Sequence, residues 1–191
     1  FIEELCHRLA RGGNIAASRG ANEDAAWLDL LIESRVARLP DTLAALVRSA
    51  AVLGFIMPVW LFEQITLCRA DSDAVHALAR QDLLFPGEQP GTLRFKHAIA
   101  RDAIYRSVGL HQRRALHLAA ASALQERSSA PAEREEASEA LAYHYTAAGD
   151  APRAAEFAAL AAQRAMRASA LDRAQAQFRA ALSALDGLER N

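Results

Sequence analysis

Residues 83–95 read Leu-Leu-Phe-Pro-Gly-Glu-Gln-Pro-Gly-Thr-Leu-Arg-Phe, two short apolar runs around Pro86-Gly87 and Pro90-Gly91. Short apolar runs on either side of Pro-Gly pairs predict a two-stranded β-hairpin with a loose tip. Upstream the spacing is helical. Ile2, Leu5 and Leu9 space a short helix over 1–11, ended by Gly12-Gly13, and the Gly/Asn/Ser/Ala-rich stretch 12–24 reads as a loop. A helix over 25–38 carries Trp27, Leu30 and Leu31, and Pro40-Asp41-Thr42 punctuates the chain. Leu43, Leu46, Val47 and Ala50 then share one helical face, with Gly54 just past its end. Helices over 58–67 (Trp60, Phe62, Ile65) and 72–81 (Val75, Leu78, Ala79) follow, the second with Asp71 or Ser72 as its cap. Three helices and then a hairpin is the order of a winged helix, a variant of helix-turn-helix.

Beyond the hairpin the pattern predicts helices over 97–108, 110–127, 134–148, 151–168 and 171–186, with Ser128-Ser129-Ala130-Pro131 as the clearest linker. The last helix places Leu171, Ala174, Phe178, Ala181, Leu182 and Leu185 on one stripe. Ala142, Tyr145, Gly149, Ala154, Ala158 and Ala161 match the small and large positions of a TPR hairpin with Gly149-Asp150 at its turn, and Ala174, Phe178 and Ala181 repeat part of it. Alanine-rich helices also pack as a plain bundle, so both architectures stay open at this stage. The expected class is mainly α: a winged-helix-like module of three helices plus a hairpin, then TPR-like antiparallel helical hairpins. Such stacks bury their faces with about three repeats, and the array is expected to continue past Asn191.

Composition narrows the chemistry. The 191 residues are 52% hydrophobic and carry a formal charge of −1, so no global field draws the chain to nucleic acid or an anionic membrane. Cys6 and Cys68 lie far apart with no Cys/His cluster beside them, which argues against a zinc site or disulfide framework and fits a reducing compartment. No apolar run has the length of a membrane helix and no signal peptide is seen. The chain opens at Phe1 without a Met and reads as an excised segment.

A P-loop needs a Gly-rich turn ending in Lys-Ser/Thr, but the sole lysine is Lys96, preceded by Leu93-Arg94-Phe95. No GxSxG or HExxH pattern is present, and the six histidines form no i,i+4 pair. His111 and His117 do not face each other. The run Glu133, Glu135, Glu136, Glu139 reads as a solvated face with acids near a helix N-terminus. The expectation is therefore a non-enzyme, with no cofactor held by this segment. DNA reading through 71–82 is disfavoured because Asp71, Asp73 and Asp82 oppose a single Arg80. Positive residues gather instead at Arg94, Lys96, Arg101, Arg106, Arg113 and Arg114, among His97, His111 and His117. They are either a surface face with arginine stems on Ala-rich helices or a site for an anion or acidic partner.

Four segments resemble, in order, a family of bacterial signal-transduction ATPases with numerous domains, the STAND class. Leu93-Arg94-Phe95-Lys96-His97-Ala98-Ile99 with Arg101-Asp102-Ala103-Ile104-Tyr105 is similar to its "RFKHALIQEAAY" segment. Phe1-Ile2-Glu3-Glu4-Leu5 resembles the end of "NPFFIEEL", and Leu39-Pro40-Asp41-Thr42-Leu43 with Ala50-Ala51-Val52-Leu53-Gly54 resembles "LP…L…AAVLG". Leu141 to Asp150 resembles "LAHHYEAAGD", which opens the TPR-like repeats. The resemblance implies residues 1–24 as the end of an ATPase core, 25–109 as the winged-helix-like domain and 110–191 as the TPR-like region.

It further implies a parent with an upstream P-loop core that binds ATP or ADP, joined to a class III adenylate/guanylate cyclase domain or a LuxR-type regulator. Localisation would be cytoplasmic. The winged helix would close on the nucleotide domain, and the repeats would take a protein partner or self-associate. In related proteins a Met-His-Asp histidine after the wing contacts the ADP β-phosphate. Lys96-His97-Ala98 occupies that place, with Lys for Met and Ala for Asp. His97, with Lys96, is thus either a nucleotide sensor at a helix N-terminus or a cap between hairpin and helix. The competing functions are a DNA-binding winged-helix transcription factor and a plain TPR-like scaffold.

Overall fold

The computed structural model describes residues 18–189, with side chains from 27 to 186. The short helix expected over 1–11 therefore lies outside the described residues. The first helix, α1 (Ser18–Ala37), buries Leu28, Ile32 and Val36, one residue per turn on one face. It begins earlier than expected, so 18–24 is helical rather than loop. Once that apolar face fixes the helix, each added residue gains a hydrogen bond, and the helix runs back through Gly20 and Asn22.

Two short helices and three short strands follow α2 (Asp41–Leu53), which buries Leu46, Val47 and Ala50 to Leu53 and stops at Gly54. β1 (Ile56–Pro58) leads into α3 (Val59–Thr66), then α4 (Asp73–Arg80), β2 (Leu84–Pro86) and β3 (Thr92–Phe95). The Ser72 hydroxyl caps α4 by accepting the Val75 N–H at 3.4 Å. The strands form one antiparallel sheet in the order β1-β3-β2, with Met57 opposite Leu93 and Leu84 opposite Phe95. Met57, Leu84, Leu93 and Phe95 face the core and are buried. Prolines end both edge strands, where the missing N–H costs the ladder least.

The expected hairpin is therefore present, with a third strand that Gly54-Phe55-Ile56-Met57-Pro58 did not announce. Its tip is tighter than expected. Gly87 N–H donates to the Thr92 carbonyl at 2.8 Å, and a Cβ at Gly87 would lie 2.0 Å from the Thr92 hydroxyl.

After the hairpin come α5 (Ala98–Ser107), α6 (Leu110–Arg127), α7 (Pro131–Ala148), α8 (Ala151–Arg167) and α9 (Leu171–Glu189). Pro131 is the first residue of α7, a position whose N–H has no helical partner in any case. The linker is therefore shorter than expected, and the Ala130 N–H is taken by the Glu133 carboxylate. Two cores result. Helices α1 to α5 and the sheet surround Phe62, Leu78, Phe95 and Ile104, while Leu141, Tyr145, Phe157 and Ala181 anchor the second. The α6 helix serves both, turning Ala120 and Ala123 to the first core and Ala121 to the second.

Short connections force α7, α8 and α9 to lie alongside one another. Arg167 at the end of α8 pairs with Glu135 near the start of α7, and Arg173 of α9 bonds Glu139. The acidic run is therefore not a purely solvated face, because three of its members are tied up in caps and pairs. The stripe of α9 also divides: Ala174 and Ala181 are buried, whereas Leu171, Phe178, Leu182 and Leu185 stay exposed.

Gly149 closes α7 in the left-handed region (φ 85), with Asp150 N–H donating to the Tyr145 carbonyl at 3.0 Å. A Cβ there would meet only the Arg114 guanidinium at 3.8 Å, so the cost of Gly149→Ala is backbone strain. We expect a loss of about 1 kcal/mol, and a thermal midpoint lower by roughly 2–4 °C by circular dichroism.

Candidate functional site

The basic residues singled out from the sequence do not share one free surface. Arg94 sits on the outer side of β3, opposite Ile56 and Phe85, and its buried Nε has no partner among the described residues. Lys96 Nζ pairs with Asp82 at 2.8 Å, which holds that carboxyl below its ordinary range. Arg106 grips the Asp29 carboxylate of α1 with two nitrogens. Arg114 is exposed beside the Gly149 turn. His97 is the N-cap residue of α5, half-buried; its side chain makes no capping bond.

Arg101 and Arg113 come together. Both guanidiniums lie over the Tyr105 ring, at 4.8 and 4.6 Å from its centroid. Arg113 also donates to the Val108 carbonyl at 3.1 Å. Arg101 Nε donates to the Ala51 carbonyl at 2.8 Å, its Nη1 pairs with Asp102 at 3.0 Å and its Nη2 reaches the Tyr143 hydroxyl at 3.4 Å. Ala51 is in the last turn of α2, where carbonyls have no helical partner. One guanidinium thus ties α2, α5 and α7. Burial opposes its charge, but the Tyr143 hydroxyl and Asp102 outweigh that, and its pKa is raised.

Beneath Arg101 lies a pair that sequence reading missed. His117 of α6 and His144 of α7 are both buried, with Nδ1 atoms 2.9 Å apart. The Tyr105 hydroxyl bonds His117 Nε2 at 3.1 Å, and Tyr143 stands edge-on to both imidazoles, 5.5 and 5.1 Å away. An Nδ1 to Nδ1 hydrogen bond requires one ring to donate and the other to accept, so a proton on both Nδ1 atoms is incompatible with the contact. Burial lowers the His117 pKa to about 4, helped by Arg101 and Arg113. Burial also lowers the His144 pKa to about 3, helped by His117 and Arg101. Both rings are neutral at pH 7.

The two histidines are 27 residues apart with the α6–α7 turn near their midpoint. Folding the two predicted helices back on each other would have brought them together; a search for i,i+4 pairs could not.

Among the described residues, no three His, Cys, Asp or Glu side chains gather in metal-binding fashion. No helix among them is long and apolar enough to cross a membrane. What the cluster does physically is join the sheet-containing unit to the helical hairpins through fixed hydrogen bonds and edge-on ring contacts. No protein-family model, curated protein or solved structure matches the chain.

Proposed function

We propose that this chain is the regulatory, protein-interaction segment of a STAND-type ATP-dependent signalling protein acting in the cytoplasm. A winged helix (α2 to β3) would close on the parent's nucleotide domain, and TPR-like hairpins (α6 to α9) would dock a partner or self-associate. The parent would bind ATP or ADP, with a class III cyclase domain or a LuxR-type regulator as output. The segment itself would carry out no reaction.

One observation carries the proposal: three of the four family-like motifs meet at Arg101. That residue belongs to the segment 93–105, its Nε holds Ala51 of the segment 39–54, and its Nη2 reaches Tyr143 of the segment 141–150. Motifs spread along a chain and converging on one joint are what a transmitted two-state change needs, since coupling runs through packed and hydrogen-bonded contacts. The order of helices around β1-β3-β2 suits a winged helix, and the α7–α8–α9 packing suits TPR-like repeats.

His97 supports a nucleotide-facing role. Among the described residues none hydrogen-bonds its ring and no side chain caps the α5 N-terminus where it stands, an arrangement that suits a phosphate. Lys96, engaged by Asp82, would hold the wing rather than the anion. In the complete protein, His97→Ala should weaken ADP binding about tenfold, the scale of one hydrogen bond to a charged group, and raise basal signalling. Unchanged ADP affinity in a calorimetric titration removes the sensing role.

A further inference from the structure

The seam between α6 and α7 is closed differently at its two ends. Toward the 128–130 turn, Ala121 packs with Leu141 and Tyr145, the Tyr145 hydroxyl donates to the Gln125 side-chain oxygen, and Arg134 Nε donates to the Ser128 carbonyl at 3.1 Å. The far end, about 15 Å of helix from that turn, is closed by His117 and His144. Neutral, this pair holds one proton between its two Nδ1 atoms. A first added proton can enter at the donor ring's Nε2 and leave that bond standing. A second must go to the accepting Nδ1, and two N–H groups then face each other across 2.9 Å.

Nothing around the pair offsets the added charge. α5 presents Arg101, Asp102 and Tyr105, α6 presents Arg113 and α7 presents Tyr143, while Tyr145 is turned to Gln125 and to Arg153 of α8. Asp102 is half-exposed and bound to Arg101, and among the described residues no carboxylate bonds either imidazole. On the sheet side α6 is held firmly: Ala120 and Ala123 are buried in that core, and Arg127 lies over the Trp60 ring at 4.6 Å.

We infer that the α6–α7 seam is a two-proton latch: one proton on each imidazole parts α7 from α6 and from Arg101, hinged at residues 128–130, while the sheet-containing unit keeps its core. Parted, each ring returns to its ordinary value near 6.5, against about 4 for His117 and about 3 for His144 in the closed seam. From pH 7 to 5 the open-to-closed ratio should rise roughly 20-fold per ring and roughly 500-fold for both, with the uptake approaching two protons per opening. The latch does not rest on the nucleotide reading; a seam that stays shut in acid leaves the His97 titration untouched.

Thiol labelling of the whole chain reads the parted state. A cysteine in place of buried Ala121 should react when the seam opens, and one in place of Ala50, buried in α2, when the sheet-containing unit unfolds. Rates divided by the thiolate fraction and assigned to their site by mass spectrometry give the two opening constants. Opening at Ala121→Cys should be roughly 500-fold greater at pH 5 than at pH 7. Its urea dependence should be shallow, because parting exposes less surface than unfolding, whereas that at Ala50→Cys should be steep. Adding His144→Gln, which takes up no proton, should cut the acid response to roughly 20-fold. His117→Gln gives the same reading where His144→Gln does not fold. No acid rise at residue 121, a urea dependence there as steep as at residue 50, or a full acid response with one ring replaced overturns the inference.

Discussion

Lowering the pH from 7 to 5 is expected to remove roughly 2–4 kcal/mol of stability, about 1.4 kcal/mol per pH unit for each of two histidines. His117 and His144 are neutral in the fold, with pKa values lowered to about 4 and about 3. In the unfolded chain each takes a proton near pH 6.5, so the unfolded state binds more protons below that point. Their stabilising contribution is complete above pH 6.5, declines as the pH falls, and is lost once the folded-state values are passed. The groups facing the pair do not offset this. Tyr105 and Tyr143 present a hydroxyl and a ring edge, the Arg101 and Arg113 guanidiniums lie over Tyr105, and Asp102 is drawn to Arg101. Urea titrations at pH 7, 6 and 5 measure the slope, and stopping at pH 5 keeps most carboxylates ionised. In His117→Leu with His144→Leu the slope should flatten. A native protein equally stable at pH 7 and 5 would show that the rings are not held neutral.

Periodicity was enough for the mainly helical class and for the hairpin, because Leu46, Val47 and Ala50 or Ala154, Ala158 and Ala161 repeat at the spacing their buried faces require. Two features of the fold were hidden for separate reasons. β1 is only three residues long and exists because β3 offers it a ladder, a tertiary cause that leaves no alternation to read. On α9, periodicity placed six residues on one stripe; it could not say that alanine alone would reach α8 and leave the larger side chains outside.

The basic residues between 94 and 114 were legible as a group but not as partners. Arg106 meets Asp29 across 77 residues and Arg101 meets Ala51 across 50. A lone His with apolar neighbours carries no sign of its mate until two helices are folded together. His144 sits between Tyr143 and Tyr145, and this aromatic triplet on an otherwise alanine-rich helix was the one local hint of an unusual contact.

Arg101→Leu should cost roughly 2–4 kcal/mol, more than a surface arginine ever does. Its side chain is only 16% exposed, and removing it strands the buried Ala51 carbonyl at the end of α2, while the exposed Tyr143 hydroxyl loses its link to α5 and turns to water. The apolar stem of leucine keeps part of the packing, so most of the loss is in the unmade hydrogen bonds. Arg101→Lys should recover little, since an ammonium on a flexible stem cannot serve Ala51, Asp102, Tyr143 and the Tyr105 face at once. The distribution of the loss is as informative as its size. Trp27 and Trp60 both lie in the sheet-containing unit, so tryptophan fluorescence follows that unit, while far-ultraviolet circular dichroism follows all helices. In the native protein the two urea transitions should coincide. In Arg101→Leu they should separate, because the guanidinium joining α2 and α5 to α7 is gone. Coincident transitions at an unchanged midpoint would mean that the two units are held together by the shared α6 core alone, and that Arg101 carries no signal between them.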